Sequence, residues 1–133
     1  MESVSAELDE FVESIKNSYE SLNNNAKFKD EFKDATFKIL LVPKDGEFAA
    51  LIKVDNGTVS VEGVKSLPKE NIEKDKLGWD GYMKTIRQTF KDIGDGKLTS
   101  RDIRKKVLAR KIKVKGLKYL ASFSKMAELR RQN

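Results

Sequence analysis

The chain's 133 residues are the size of one domain, 36% charged and 38% hydrophobic, with a formal net charge of +6. It has no cysteine and no histidine, which excludes disulfides and thiolate nucleophiles and removes the usual general base and the common transition-metal ligands. Hydrolysis by paired carboxylates is the catalytic route left open, so the expectation is a binding protein with no cofactor and no metal.

Leu8, Phe11, Val12, Ile15, Tyr19 and Leu22 recur at spacings of three and four, with Glu7, Asp9, Glu10, Glu13 and Lys16 between them. This predicts a helix of about 18 residues with one apolar stripe, its early acidic residues suited to the helix dipole. Asn23-Asn24-Asn25 should end it, and Phe28 and Phe32 then sit four apart in a short second helical turn.

From Thr36 the period changes to two. Phe37, Ile39 and Leu41 share one face of a strand over 36–42, while Leu40 and Val42 make its other face apolar as well. Pro43-Lys44-Asp45-Gly46 is a turn signal, and Phe48, Ala50, Ile52 and Val54 alternate in the strand that follows. Asn56-Gly57 marks a tight type I′ turn into a third strand over 58–64, with Val59 and Val61 on one face. The result is a three-stranded antiparallel meander.

Ser66–Lys76 is polar, contains Pro68 and reads as a loop. Lys76–Thr85, with Trp79, Tyr82 and Met83, reads either as a strand interrupted at Asp80-Gly81 or as the start of a helix. Ile86, Phe90 and Ile93 have helical spacing, and Gly94-Asp95-Gly96 stops that helix. A further helix over 99–109 takes Thr99 or Ser100 as its N-cap, with Ile103, Val107 and Leu108 inward. Next come a strand with Ile112 and Val114 on one side and lysines on the other, Gly116, and a terminal helix from Leu117. The element order predicts an α+β fold, one mainly antiparallel sheet of about five strands with helices packed on one face.

Asp95–Asp102 resembles the back half of a calcium loop. With Gly96 at the sixth position, however, Lys91 and Ile93 occupy the first and third, where the ion needs oxygen ligands. A glycine stop followed by a capped helix accounts for the same residues. The longest apolar run, Phe48–Ile52, is far below the roughly 20 residues of a membrane span. No basic segment followed by an apolar one opens the chain, so a signal peptide is not expected, and the absence of cysteine is compatible with a cytoplasmic location.

The charge is graded along the chain. Residues 1–35 carry four Lys/Arg against nine Asp/Glu, whereas residues 101–133 carry twelve against two. Either these ends are complementary surfaces, or the basic end meets an anionic partner. No aromatic residue lies on the lysine face of 110–115, so bases find no stacking platform within that segment. This favours a solvated strand face first, an anionic membrane surface second and nucleic acid last. In the terminal helix, Leu117, Tyr119, Leu120, Ala121, Phe123, Met126, Ala127 and Leu129 cover well over half the circumference. That exceeds what packing on a sheet requires, so a second layer, a partner subunit or a ligand is expected there.

Three pieces together, FKILLVPKDGEFAALIKVDNGTVSVEGV at 37–64, GDGKL at 94–98 and RKIKVKG at 110–116, resemble the sterol carrier protein type 2 family over roughly residues 5–130. The segment KDKLGWDGYMKT at 74–85 fits only loosely the family pattern of an acidic residue and a short alternating strand, and the resemblance puts a strand around Leu77–Met83. The resemblance implies a single lipid-binding domain over residues 1–133. It further implies a five-stranded sheet under helices and an apolar pocket for fatty acid, fatty acyl-CoA, sterol or another lipid, closed by the terminal helix. The lining it implies is Phe37, Ile39, Phe48, Ile52, Trp79, Tyr82, Met83, Ile86, Phe90, Ile112, Val114, Leu120, Phe123 and Met126. The competing expectations are a module for nucleic acid or an anionic surface, and an interaction domain that packs its terminal helix on a partner.

Overall fold

The computed structural model describes residues 9–132; Glu7 and Leu8, expected on the first helix, lie outside the described residues. α1 (Glu10–Glu20) starts at Asp9, whose carboxylate accepts a 3.0 Å bond from the Val12 amide. It buries Phe11, Val12, Ile15 and Tyr19, the stripe that the spacing predicts. The chain then tightens into a 3₁₀ turn over Ser21–Asn24 that carries Leu22 inward. Asn25 caps α2 (Ala26–Glu31) by accepting from the Phe28 amide at 2.9 Å.

β1 (Thr36–Pro43), β2 (Phe48–Asp55) and β3 (Thr58–Lys65) form the expected antiparallel meander. Asn56 and Gly57 both take positive φ, 49° and 81°, as a type I′ turn requires. The outer edge of β3 is occupied by side chains: Asn23 donates to Val59 O (2.9 Å) and accepts from Val59 N (2.8 Å), and Glu20 accepts from Val61 N (2.9 Å).

The five strands run in the order β3-β2-β1-β4-β5, with β4 (Gly81–Thr85) parallel to β1 and the other pairs antiparallel. Phe37, Ile39, Leu41, Ala50, Ile52, Val54, Val59, Val61 and Met83 face the helical layer, in one core cluster with residues of α1, α2, α4, α5 and α6. Leu40, Val42, Ala49, Leu51 and Tyr82 face the other way. The doubly apolar pattern of β1 follows, since its strand is covered on both sides.

That second cover is the β3–β4 connection. The segment expected to be a plain loop holds a 3₁₀ turn (Lys69–Ile72) and the single-turn α3 (Lys74–Leu77). Ile72, Leu77 and Trp79 pack with the residues of the far face. The strand expected from Leu77 therefore starts later. Gly78, at φ 70°, closes α3 by donating to Lys74 O at 2.7 Å. Asp80 then fastens to β1, its amide donating to Lys38 O (2.8 Å) and its carboxylate accepting from Lys38 N (2.9 Å).

α4 (Arg87–Gly94) buries Phe90 and Ile93 as expected, but Ile86 is the residue before the helix and is 46% exposed. α5 (Ser100–Leu108) opens on a capping box between Thr99 and Asp102. Ile103 is buried and Val107 partly so, whereas Leu108, expected inward, ends the helix 84% exposed. Asp95 pairs with Lys91 at 2.8 Å and Asp102 caps α5, which explains both carboxylates of the calcium-loop resemblance. β5 is short (Lys113–Lys115) and leads through Gly116 into α6 (Leu117–Arg131). At its far end α6 seats on α4: Arg130 donates to Gly94 O, and Arg131 Nη1 donates to Ile93 O (3.2 Å) and Gly94 O (3.3 Å). Cations thus meet the carbonyl end of a helix, the favourable sense of its dipole.

Candidate functional site

Most of the expected lining residues come together in one cluster, and three of them, Ile112, Val114 and Leu120, border recesses. Phe37, Ile39, Ile52, Met83, Phe90, Ile112, Phe123 and Met126 are buried in one cluster, with Phe48, Val114 and Leu120 half-buried against it. Their rings meet one another and their neighbours: Phe37 lies 5.4 Å from Tyr119, Phe123 5.3 Å from Tyr19 and Phe90 5.5 Å from Phe11. Three residues fall elsewhere. Trp79 and Tyr82 pack on the far face of the sheet, and Ile86 points outward.

Open space lies around α5, which buries only Ile103. On one side a recess of about 400 Å³ separates α5 from α6, lined by Ile103, Arg104, Leu117, Leu120 and Ala121 with two serines. At the C-terminal end of α5 a second recess of about 450 Å³ has Val107, Ile112 and Val114 as its apolar floor. Its rim is wholly basic: Lys44, Lys84, Arg110 and Lys113. Ile103 and Val107 lie one helical turn apart, on the inward face of α5. Their spacing showed them as inward-facing, but nothing in the sequence distinguishes a residue beside a void from one that is packed. Leu117 was hidden for a different reason, because its exposure depends on how α6 meets α5.

The geometry concentrates positive charge at this edge. Lys84 and Lys113 stand directly opposite across β4 and β5, and neither forms an ion pair among the described residues. Arg110 holds the left-handed region at φ 61°, which few non-glycine residues adopt. Its turn is pinned on both sides, by its amide donating to Val107 O (3.0 Å) and by the Thr85 hydroxyl donating to Lys111 O (3.0 Å).

On the far face, a groove of about 590 Å³ is lined by Trp79, Tyr82, Lys69, Lys74, Lys84, Lys113 and Lys115, together with Glu73, Asp75 and Asp80. The lysine side of β5 thus has aromatic neighbours after all, contributed by β4 and the segment before it. These rings are not free platforms: both are buried, 5.1 Å apart, with Lys115 over each (5.8 and 5.3 Å) and Lys74 over Trp79 (5.6 Å). Trp79 Nε1 donates to Ile72 O at 2.9 Å, and burial raises the Tyr82 hydroxyl pKa above its ordinary value. Among the described residues no group of three carboxylates is placed to hold a metal ion, and no helix is long and apolar enough to cross a membrane.

No family model and no curated protein matches the chain. Solved structures do. UbiJ-SCP2, a ubiquinone synthesis protein, is 12% identical with a TM-score of 0.64, over 92% of this chain and 89% of that one. Sterol carrier protein 2 of Yarrowia lipolytica, in its apo form, is 19% identical with a TM-score of 0.62, over 98% of this chain and 100% of that one. An inverting sec-alkylsulfatase of Pseudomonas sp. is 19% identical with a TM-score of 0.56, but 74% of this chain spans only 14% of the sulfatase. A five-stranded mixed sheet under a layer of helices, shared over nearly the whole length of small proteins of this kind, is the fold of sterol carrier protein 2.

Proposed function

We propose that this chain is a non-catalytic binding or transfer protein for a hydrophobic ligand, held beneath α5 between α6 and β5. The observation that carries the reading is the apolar recess of about 400 Å³ between α5 and α6, within the size range of small-molecule sites. The shared fold with a protein named sterol carrier protein 2 supports a lipid as the ligand class. Fatty acid, fatty acyl-CoA and sterol are the candidates.

In this reading α6 is a fixed wall, because it buries Phe123, Met126, Ala127 and Leu129. The closing element is α5, which buries a single side chain. Outward movement of α5 would, in this reading, widen the space beside Ile103, which belongs to the same apolar cluster as Ile112, Phe123 and Met126. Burial is worth about 0.8 kcal/mol per methylene, so ten methylenes contribute about 8 kcal/mol, the scale of micromolar affinity before ordering costs.

Native mass spectrometry of the purified protein, followed by organic extraction, tests this directly. The expected result is a bound amphiphile. Ala121 lines the recess and is exposed, so Ala121→Trp fills the site without crowding the core. It should weaken uptake of a fluorescent fatty acid by about tenfold or more. A protein that purifies empty and takes up neither fatty acid, acyl-CoA nor sterol probes overturns the reading.

A further inference from the structure

Two of the four large hydrophobic residues exposed among the described ones, Leu108 (84%) and Leu117 (67%), lie within one basic stretch of chain. Residues 101–118 hold nine Lys/Arg and one acid, Asp102, and Asp102 is engaged in the capping box. The fold brings these parts to one surface. Leu117 shares a recess with Arg104 of α5, and Leu108 stands one helical turn beyond Arg104 on the same side of that helix. The fold also adds Lys44 and Lys84, distant in sequence, beside Arg110 and Lys113.

We propose that α5, β5 and the first turn of α6 form a docking surface for an anionic lipid bilayer. Cations set around protruding leucines match what a membrane interface offers, phosphate charge above and acyl chains below. A nucleic acid would use the cations but gains nothing from two bare leucines, and the nearby Trp79 and Tyr82 rings are buried and covered by lysines. The recess between α5 and α6 opens at this surface, with Leu117 on both. The docking surface goes beyond the ligand reading and does not require it, since an empty protein presents the same residues.

The test is partition of the full chain onto vesicles of phosphatidylcholine alone and of phosphatidylcholine mixed with phosphatidylglycerol. Binding should appear on the mixed vesicles and fall as salt shortens the Debye length from about 10 Å at 0.1 M to about 3 Å at 1 M. Reversing two cations in Lys111→Glu/Lys113→Glu should reduce partition about tenfold or more. Leu108→Ser/Leu117→Ser should reduce it on the order of tenfold while leaving the salt dependence in place. All four positions are exposed, and an unchanged circular dichroism spectrum shows that each variant folds. Equal partition onto both vesicle types, or partition unaltered in both double variants, overturns the proposal. So does retention on single-stranded DNA without any vesicle binding, which would assign the cations to nucleic acid.

Discussion

Tyr119 of α6 packs on the bare backbone of Gly81 in β4, so closely that a Cβ at the glycine would lie 2.6 Å from the Cβ of the tyrosine. A few residues away Gly116, at φ 71°, leaves only 2.4 Å between its own would-be Cβ and Asp80 O. Two glycines therefore let the start of α6 lie against β4. Neither obstacle is the far end of a flexible side chain, so neither can swing aside. Gly81→Ala is expected to cost about 1–3 kcal/mol in urea unfolding, and an unchanged midpoint would show that α6 adjusts freely.

The outer edge of β3 is guarded by side chains, Asn23 and Glu20, rather than by a strand. Asn23 exchanges two hydrogen bonds with Val59, so Asn23→Ala leaves a backbone donor and acceptor of an edge strand without those partners. The expected loss is about 1–3 kcal/mol, together with faster aggregation because an open edge is a template for pairing. Light scattering during mild heating reads the second effect. Aggregation no faster than wild type at matched fraction folded would count against it.

Tyr19 makes alkaline pH informative. Burial pushes its hydroxyl well above the ordinary 10.0, against a smaller opposing pull from Arg130 and Arg131. The phenol ionises in the unfolded chain near pH 10 but stays protonated in the fold. Its contribution to stability is thus complete below pH 10 and is lost as the pH rises beyond it. Tyr19→Phe should lose less stability than wild type between neutral pH and pH values above 10. Parallel alkaline limbs for the two proteins would refute the buried-phenol account.

Lys84 and Lys113 face each other across two strands, an arrangement that costs stability when the charges are alike. Lys113→Glu should raise stability by roughly 0.2–1 kcal/mol and simultaneously weaken partition onto anionic vesicles. Opposite signs in the two measurements are the expected signature of a charge kept for binding. A variant that is destabilised while it retains vesicle binding would contradict it.

The elements with strong periodicity were legible in the chain. The stripe Phe11–Tyr19, the Asn56-Gly57 turn and the Thr99 cap each rest on neighbours in sequence, where helix and strand periods act directly. The segment 66–80 was not legible, because its structure depends on distant partners. Trp79 is ordered by Leu40, Leu51 and Tyr82, and Asp80 by the backbone of Lys38. Fourteen lining residues were expected from periodicity and resemblance. Periodicity marks what faces inward, but it does not separate residues that fill a core from residues beside a space.

By itself the sequence determined the absence of thiol and imidazole chemistry, the mainly antiparallel sheet with its helices, and the concentration of basic residues after Arg101. Only the tertiary structure decided that β4 runs parallel to β1, that Trp79 and Tyr82 belong to the far face, and that two apolar recesses flank α5. The physical reason is the range of the forces involved. Helix and strand periods, turns and caps are settled within a few residues along the chain, whereas voids, faces and clustered charges depend on which distant side chains meet.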